Sequence, residues 1–487
     1  MVKKSLPSSC ASRAFWFLLV AALAVSGAWL ALSARSSLDL PEQAQPAATG
    51  AAPPALEALA RLADEVSREV EGLRGWNFKQ PVAKQLATPE QVRQYIERQL
   101  AANLPPGEIA IIESLLRTVG LIPPACDLKS TYLSLMENQV AGFYDPETRT
   151  LNLVQRPGAM PAIVERMMLA HELTHALDDQ YADLGTLIKR ASTGSEDSDL
   201  VVSSVIEGSA TALMLQYLLR EQLSGRASLS DLKQYAAEEA VRSKPFLDAP
   251  RYFSTILGSY ICGTEFLAKG NLLSLVTAPD NRAVGQNLLA ARQNLPRSTE
   301  QILHPSKYWD PSERDEPVLV SDDAVERRLA QPGRWVVRRD TIGEMLLAIL
   351  TTPTGTARDL MSMQTAEAWT TPGARGWGGD RLFLFAAGSS AAEATRELKD
   401  LRAVWITLWD TAADRDEFVT ALEKGPVPAG YATAALGAEG AVVLFGFDEA
   451  ERTALAKRLG DGPLPMTRGG QPWPPPGRSH AFQPRVP

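Results

Sequence analysis

Histidine is scarce in this sequence, with four copies in 487 residues. The four stand at positions 171, 175, 304 and 480, and two of them flank a glutamate in His171-Glu172-Leu173-Thr174-His175. In so histidine-poor a chain, this spacing arises by chance only about once in a few hundred sequences. The scarcity of histidine therefore makes the motif informative.

Positive charge is not in excess either. Lysine and arginine number 49 against 57 aspartates and glutamates, which gives a net charge of −8. The chain lacks the basic footprint of nucleic-acid-binding proteins, so no nucleic-acid partner is expected. A hydrophobic share of 45% and a charged share of 22% exclude a disordered or fibrous chain.

Only three cysteines are present. Cys10 precedes the first apolar run, and this position excludes a lipoprotein cysteine. Cys126 and Cys262 allow either one disulfide bond or two buried free thiols, and both alternatives stay open.

An uninterrupted apolar run from Phe15 to Leu32 follows three basic residues and precedes Arg35. This charge asymmetry predicts a cytoplasmic N-terminus and an exported remainder. The run is long for a signal-peptide core and short for a membrane span, so residues 1–35 are a signal anchor or a signal peptide. We expect an uncleaved anchor that tethers the chain at the cell envelope, whereas cleavage would release a secreted protein.

The length predicts two globular domains with appendages, and no internal repeat is present. Residues 36–54 indicate a flexible stalk, and residues 463–487 a Pro-rich, disordered tail. Between them we predict an α+β fold. A mainly helical domain with a small sheet occupies 55–335, and a smaller α/β or α+β domain with alternating strands and helices occupies 338–462.

Three elements of the larger domain bear on function. Residues 138–154 alternate as a β-hairpin that turns after Asp145. Residues 161–180 predict a helix that contains the histidine motif, and a second long helix runs from a cap at Ser195 to about Leu223.

Residues four apart share one face of a helix, so His171 and His175 can place two imidazole nitrogens on one metal ion. Imidazole pairs suit zinc. Glu172 is rotated away from that axis and can reach the water that the metal carries, which is the position of a general base. The alternative is a surface helix with two solvated histidines, but the apolar residues around the motif indicate a buried helix.

Such a site needs a third protein ligand. Asp178 lies about 10 Å along the helix from His171, too far to share one ion, and fits better as a hydrogen-bond acceptor behind a ligand. The third histidine of the metzincin pattern is replaced by Tyr181. Glu207 is the better candidate, because it lies in a helix of apolar and small residues where an unpaired carboxylate is costly. A salt bridge with an arginine is the alternative for Glu207.

The His171-Glu172-x-x-His175 motif, followed by Glu207-Gly208-x-Ala210 on a second helix, resembles the gluzincin group of zinc metallopeptidases. The resemblance implies zinc as the cofactor, with His171, His175 and Glu207 as its ligands and Glu172 as the catalytic base. It also implies a zincin-like fold, in which the 138–154 hairpin forms the sheet edge beside an extended protein or peptide substrate.

One departure from this pattern concerns the carboxylate that supports the first histidine in thermolysin-like members. That carboxylate falls at Thr211, and Asp178 or Asp179 could replace it. The chain is also similar to uncharacterised exported bacterial HExxH proteins, with which it shares stretches such as Ala141-Gly-Phe-Tyr-Asp145 and Gly376-Trp377-Gly-Gly-Asp380. This likeness implies that the C-terminal region is a regular part of the architecture, and it implies no particular substrate.

A third histidine lies outside the motif. Ser298 and Gln301 form a capping-box pattern for a short helix that ends at His304. Displayed after this turn, His304 could donate a hydrogen bond to the oxyanion of a tetrahedral intermediate and act as a second catalytic residue. The alternative is a histidine packed structurally beside Tyr308. Tyr260 is a weaker candidate for the same catalytic role.

The predicted function is zinc-dependent hydrolysis of a peptide bond by a metal-activated water, in an exported and membrane-tethered protein. Two alternatives stay open: a non-catalytic zinc-fold binding or scaffold protein at the cell envelope, and a zinc hydrolase that acts on a non-peptide substrate. An intact Glu172 argues against the scaffold, because a structural zinc site needs no base. The sequence is silent on the substrate and on the oligomeric state.

Overall fold

The computed structural model describes residues 54–139, 142–154, 161–191, 195–228, 230, 233, 244–357, 363–460, 462, 464–469 and 471–473. Helices and largely antiparallel sheets share this part of the chain, which confirms the predicted α+β class. The helices of the first two thirds are α1 (Pro54–Arg74), α2 (Pro89–Asn103), α3 (Glu108–Val119), α4 (Leu128–Gln139), α5 (Ala162–Ala182), α6 (Leu184–Ala191), α7 (Glu196–Leu223), α8 (Lys244–Asp248), α9 (Thr255–Leu267), α10 (Leu272–Thr277), α11 (Arg282–Gln293), α12 (Thr299–Leu303) and α13 (Ser306–Trp309).

The strands of this part are few and short. They are β1 (Ala83–Ala87), β2 (Gly142–Asp145), β3 (Thr150–Val154) and β4 (Val318–Val320). The last third holds α14 (Asp322–Leu329), β5 (Arg334–Asp340), α15 (Gly343–Leu350), β6 (Trp377–Ala387), α16 (Ala391–Glu397), β7 (Lys399–Trp409), α17 (Ala412–Leu422), β8 (Ala432–Leu436), β9 (Gly440–Phe445), α18 (Glu449–Gly460), β10 (Met466–Arg468) and β11 (Gln471–Trp473).

Local sequence signals define the starts of several helices. Ser195 caps α7, and its side chain accepts a hydrogen bond from the backbone N–H of Ser198. Thr88 caps α2 in a reciprocal capping box with Gln91, and Pro89 occupies the first turn. Such caps satisfy backbone donors that a helix leaves unpaired at its start.

The central helix α7 is buried along most of its length and packs against α5 and α9. Its contact with α9 is close because two glycines meet: a Cβ on Gly208 would lie 2.1 Å from the carbonyl carbon of Gly263. By length and composition, α7 is the one helix within the described ranges that could cross a membrane, and 78% of its most apolar window is buried inside the protein. A core helix of a globular protein meets the same test.

A three-stranded sheet in the order β1-β3-β2 lies beside α5. The β2–β3 pair is the predicted hairpin and is antiparallel, whereas β1 joins β3 in parallel. β2 is an edge strand of this sheet, and all four of its residues are buried.

The C-terminal unit is built on a five-stranded antiparallel sheet in the order β5-β6-β7-β9-β8. Antiparallel pairing throughout makes this unit α+β rather than α/β. Alternate side chains face opposite sides: Trp405 packs with α3 and α15 in one core cluster, while Val404 and Ile406 pack with α14 and α18 in another. The sheet therefore shares a continuous core with helices of the larger unit.

The same unit holds the start of α7. The Asp380 carboxylate accepts hydrogen bonds from the backbone N–H groups of residues 342 and 343 and from the indoles of Trp377 and Trp405. Next to this cluster, Asp340 accepts a 2.8 Å hydrogen bond from the backbone N–H of Glu196, the first residue of α7. The C-terminal sheet thereby fixes one end of the helix that contains Glu207.

The structure decides between the two alternatives for the cysteines and corrects one expectation for the C-terminal tail. Cys126 and Cys262 are both buried free thiols, so the disulfide alternative is not realised. Within the segment for which disorder is predicted, β10 pairs with β4 and β11 pairs with β10, because Met466 packs into the cluster beneath the C-terminal sheet. The predicted anchor at 1–35, the stalk up to residue 53 and residues 474–487 lie outside the described residues.

Candidate metal centre

Helix α5 presents the histidine motif to the protein interior. His171 and His175 lie one turn apart on the same face and are each 1% exposed, and Glu172 between them is 4% exposed. Met167, Leu169 and Leu173 fill the neighbouring positions of the helix and are fully buried. The alternative of two solvated histidines on a surface helix is therefore excluded.

Helix α7 brings Glu207 to the same point. The Nε2 atoms of His171 and His175 are 3.0 Å apart, and Glu207 Oε2 lies 3.2 Å from the first and 3.5 Å from the second. A tetrahedral zinc ion with bonds of about 2.0–2.1 Å holds its ligand atoms roughly 3.3 Å apart. The three donor atoms thus already form one face of a zinc tetrahedron, and the residues present fit this metal.

The charges of this triad also suit a cation. Burial lowers the pKa of His171 to about 4, so this imidazole is neutral and has a lone pair to donate. At Glu207 burial acts to raise the pKa, but the charge of His175 and hydrogen bonds from both imidazoles outweigh it and lower the pKa to about 2. His175 shifts the other way, since the pull of Glu207 outweighs burial and raises its pKa. A divalent cation in the triad would compete with a proton for His175.

Glu172 points to the sheet edge. Its Oε2 accepts a 2.9 Å hydrogen bond from the backbone N–H of Tyr144 in β2. Among the described residues, no other strand pairs with this side of β2, so the carboxylate lies next to the free edge of the sheet. Burial raises the pKa of Glu172 to about 7, which suits a group that must take up a proton near neutrality.

A buried ion pair lies behind the triad. Arg74 of α1 donates to the Asp178 carboxylate over 2.8 Å, and Ser209 donates to the same oxygen over 2.7 Å. Arg74 also contacts Asn281, so α1, α5, α7 and the start of α11 are joined through one guanidinium. Asp178 therefore stabilises the packing of α1, α5 and α7. Sequence analysis missed Arg74, because nothing in the pattern of α1 distinguishes a buried arginine from an exposed one.

The support of the first histidine is absent from the position that the family pattern suggests. Asp178 bonds to Arg74 and Ser209, and Asp179 accepts from the Tyr144 hydroxyl and the Leu184 backbone N–H. In the described part of the chain, the Nδ1 atom of His171 and the hydroxyl of Thr211 are both buried without a hydrogen-bond partner. Thr211 stands where thermolysin-like proteins have a supporting carboxylate, and neither aspartate takes over that role.

His304 lies in a different cluster. It ends α12 as predicted, with the Ser298 cap in place, and its Nε2 lies 3.0 Å from Glu344 of α15, which also accepts a hydrogen bond from Thr370. No contact joins His304 to the triad among the described residues, so the oxyanion role predicted for it has no support in this geometry. Tyr260 is closer to the metal site, since its ring stacks on His171 with 5.9 Å between the centroids.

A cavity of about 150 Å³ opens beside Glu207. Helices α2, α3 and α4 cover it with apolar side chains, and α7 and the start of α9 form the opposite wall. Tyr132 of α4 lines the same cavity as Glu207, and burial and then the charge of Glu207 raise the pKa of its phenol. No sequence motif around Tyr132 predicts that it lines a cavity next to Glu207.

A second group of carboxylates converges elsewhere, but a lysine occupies its centre. Glu300, Asp315 and Asp410 lie close enough together to hold an ion. Lys307 Nζ contacts all three, at 2.6, 3.1 and 3.2 Å. The group is therefore a salt-bridge network, and the triad on α5 and α7 is the stronger metal candidate.

Comparison with known protein families gives one match. Residues 329–449 match a family described as a domain of unknown function, DUF8575. The match contains all five strands of the C-terminal sheet and none of the triad residues. Comparisons with curated proteins and with solved structures gave no match.

Proposed function

We propose that this protein is a zinc-dependent peptidase of the gluzincin type, with His171, His175 and Glu207 as zinc ligands and Glu172 as the base. The observation that carries the proposal is the triangle of donor atoms, with edges of 3.0, 3.2 and 3.5 Å. A carboxylate next to this triangle is what distinguishes a catalytic site from a structural one.

The residues divide the chemistry in a simple way. Zinc in this site would lower the pKa of a bound water and polarise the carbonyl group of the substrate. Glu172 would accept a proton from the attacking water and donate it to the leaving amine. The Tyr144 N–H holds Glu172 in place through the 2.9 Å hydrogen bond, so the base needs no reorientation before it acts.

The arrangement of three elements in the larger unit supports a peptide substrate. The motif helix α5, the second ligand helix α7 and the edge strand β2 meet at one point. An extended peptide can pair with a free strand edge through its backbone, which places a scissile bond beside Glu172. We assign the protein to the cell envelope on the basis of the apolar run at residues 15–32, with the larger unit outside the cytoplasm.

The test combines metal analysis with one isosteric substitution. We expect the purified full chain to contain one zinc per molecule by inductively coupled plasma mass spectrometry. Glu172→Gln should keep the zinc and lower kcat/KM on a peptide library by a factor of at least about 100, because only the base is lost. Glu165→Gln on the same helix, seven residues away and partly exposed, is the matched control and should leave both values unchanged.

The outcomes separate the alternatives. Zinc binding without peptide cleavage in the wild type would favour a binding protein or a hydrolase with a different substrate. Cleavage that survives Glu172→Gln would refute the mechanism. Absence of zinc, together with no effect of Glu207→Ala on metal content or on activity, would refute the ligand assignment.

A further inference from the structure

The cavity beside Glu207 follows one face of α7, and the chemical character of its lining changes along the helix. Glu207 lies at one end, Ser203 follows one turn away, and Asp199 and Glu196 lie further toward the start of the helix. The wall opposite α7 is apolar, with Leu104 and Ile112 among its members. An occupant therefore meets the metal ligands at one end, hydrocarbon in the middle and carboxylates at the other end.

The carboxylate end holds more negative than positive charge. Arg338 is the cation of this cluster and is shared between Asp340 at 2.5 Å, Glu108 at 2.6 Å and Glu196 at 3.6 Å. Asp199 adds a fourth carboxylate within electrostatic range of the same arginine. One guanidinium cannot neutralise four carboxylates, so the cluster has room for a second cation.

Asp199 is the carboxylate that faces this opening. In the described part of the chain, no hydrogen bond or ion pair reaches its side chain, whereas the Tyr252 hydroxyl satisfies Glu196 over 2.6 Å. Asp199 lines the cavity, and its side chain is exposed at the end of the cavity away from Glu207. Desolvation by nearby protein atoms, and next the charge of Glu196, raise the pKa of the Asp199 carboxyl well above its ordinary value.

The distance along α7 defines the length of the occupant. Eight residues of helix separate Asp199 from Glu207, which is an axial distance of about 12 Å. A substrate carbonyl held at the metal ligands would put the Cα of its residue roughly 4–5 Å away from the ion. An extended lysine or arginine side chain adds about 6–7 Å of mostly apolar stem before its charged group.

We propose that this cavity binds the side chain of a lysine or arginine next to the scissile bond, and that Asp199 accepts its cationic group. The inference rests on the proposed peptidase function and narrows it to substrates with a basic residue at the cleavage site. Lys129 also lines the cavity, but it forms no ion pair with Asp199 among the described residues. Leu104 and Ile112 would contact the stem of the substrate side chain.

The test measures binding without turnover. Zinc-loaded full chain with Glu172→Gln is titrated into fluorescent peptide pools that differ at one position, which holds lysine, norleucine or glutamate between mixed flanking residues. Norleucine matches the lysine stem and lacks the charge. We expect the lysine pool to bind about tenfold or more tightly than the norleucine pool, as a charge-assisted hydrogen bond contributes in a partly buried site.

Substitutions of Asp199 assign the effect to this residue. Asp199→Asn should reduce the preference for lysine to within about twofold and leave the affinity for norleucine unchanged, while Asp199→Glu should restore the preference. Asp323→Asn, on the exposed first turn of α14, is the matched control and should change nothing.

The proposal is overturned if the lysine and norleucine pools bind equally, if neither pool binds, or if the preference survives Asp199→Asn. Failure of the peptidase function has a different signature. In that case the wild type would leave every pool uncleaved, whatever its affinity for lysine. Cleavage with no preference for a basic residue would preserve the function and refute the role of Asp199.

Discussion

At the scale of the residue, this protein buries several carboxylates, and three of them are stabilised by different kinds of partner. Asp178 pairs with Arg74, Asp380 accepts four N–H groups, and Glu207 meets two imidazoles. From the sequence, a salt bridge with an arginine and a metal were both open for Glu207. In the structure, the buried arginine Arg74 pairs with Asp178 and not with Glu207. Which carboxylate meets which partner depends on the packing of four helices.

Asp197 gives a prediction on pH. Burial raises its pKa to about 7, although Thr299 donates two hydrogen bonds to it from its N–H and hydroxyl. The folded state therefore keeps a proton that the unfolded state releases above about pH 4. This residue's contribution to stability falls as the pH rises from about 4 to 7 and is constant above that.

Asp197→Asn should remove this pH dependence, because an amide oxygen can accept the same two hydrogen bonds without ionising. We expect the variant's gain in unfolding free energy over the wild type to be roughly 2–3 kcal/mol larger at pH 8 than at pH 5. Urea unfolding at both values measures it. Asp248→Asn, at an exposed carboxylate, should give equal differences at the two pH values, and equal differences for Asp197→Asn would contradict the prediction.

At the scale of the element, the position of Glu207 in the proposed metal site depends on how closely α7 approaches α9. A Cβ on Gly208 would lie 2.1 Å from Gly263, and a Cβ on Gly263 would lie 1.8 Å from the carbonyl oxygen of Ser204. Both obstacles are backbone, which cannot move without displacing a helix. Gly208 directly follows Glu207, so any displacement would reach the metal ligand.

Gly208→Ala should therefore destabilise the protein by about 1–3 kcal/mol and weaken zinc binding, although alanine favours a helix over glycine. Gly72→Ala in α1 is the matched control, since no atom lies within 4 Å of its added Cβ, and it should stabilise by about 0.5–1 kcal/mol. Thermal unfolding and zinc competition with a chelator measure the two effects. A stabilising Gly208→Ala with unchanged zinc affinity would show that the helices do not need this close contact.

Element boundaries show the limits of local patterns. The helix predicted from Ala391 to Leu401 ends at Glu397, because Leu398 takes a left-handed conformation with φ 47°, and β7 begins at Lys399. Strand β1 has no clear alternation, and it forms because β3 offers a partner in parallel pairing. In contrast, α7 matches its predicted ends within about a residue, because the Ser195 cap defines its start.

At the scale of the whole molecule, the C-terminal sheet stabilises the metal helices. One core cluster joins Trp405 and Trp409 of the sheet to Leu115 and Leu116 of α3. The start of α7 is held by Asp340 and by the backbone carbonyl of Thr341. We infer that the sheet and the helices unfold as one cooperative unit.

Trp405→Ala tests this coupling. The substitution removes a fully buried ring and one of the four hydrogen bonds to Asp380, which should cost about 3–5 kcal/mol. Hydrogen exchange measured by mass spectrometry should then show faster global exchange in α5 and α7 as well as in β6 and β7. Trp335→Ala at a 41% exposed position is the control and should have little effect. Loss of protection confined to the sheet would mean that the two units unfold separately.

The sequence by itself determined which groups are candidates for a metal site. Scarce histidines at positions 171 and 175, a carboxylate at 172 and a lone acid at 207 indicate which side chains could meet an ion, because helical spacing is a local property. Only the tertiary structure decided what surrounds them. In the folded protein Asp178 pairs with Arg74, and His304 lies beside Glu344. Asp340 accepts a hydrogen bond from the start of α7, and Asp199 lines an apolar cavity. These contacts join residues far apart in the chain, and no local pattern contains the geometry that selects them.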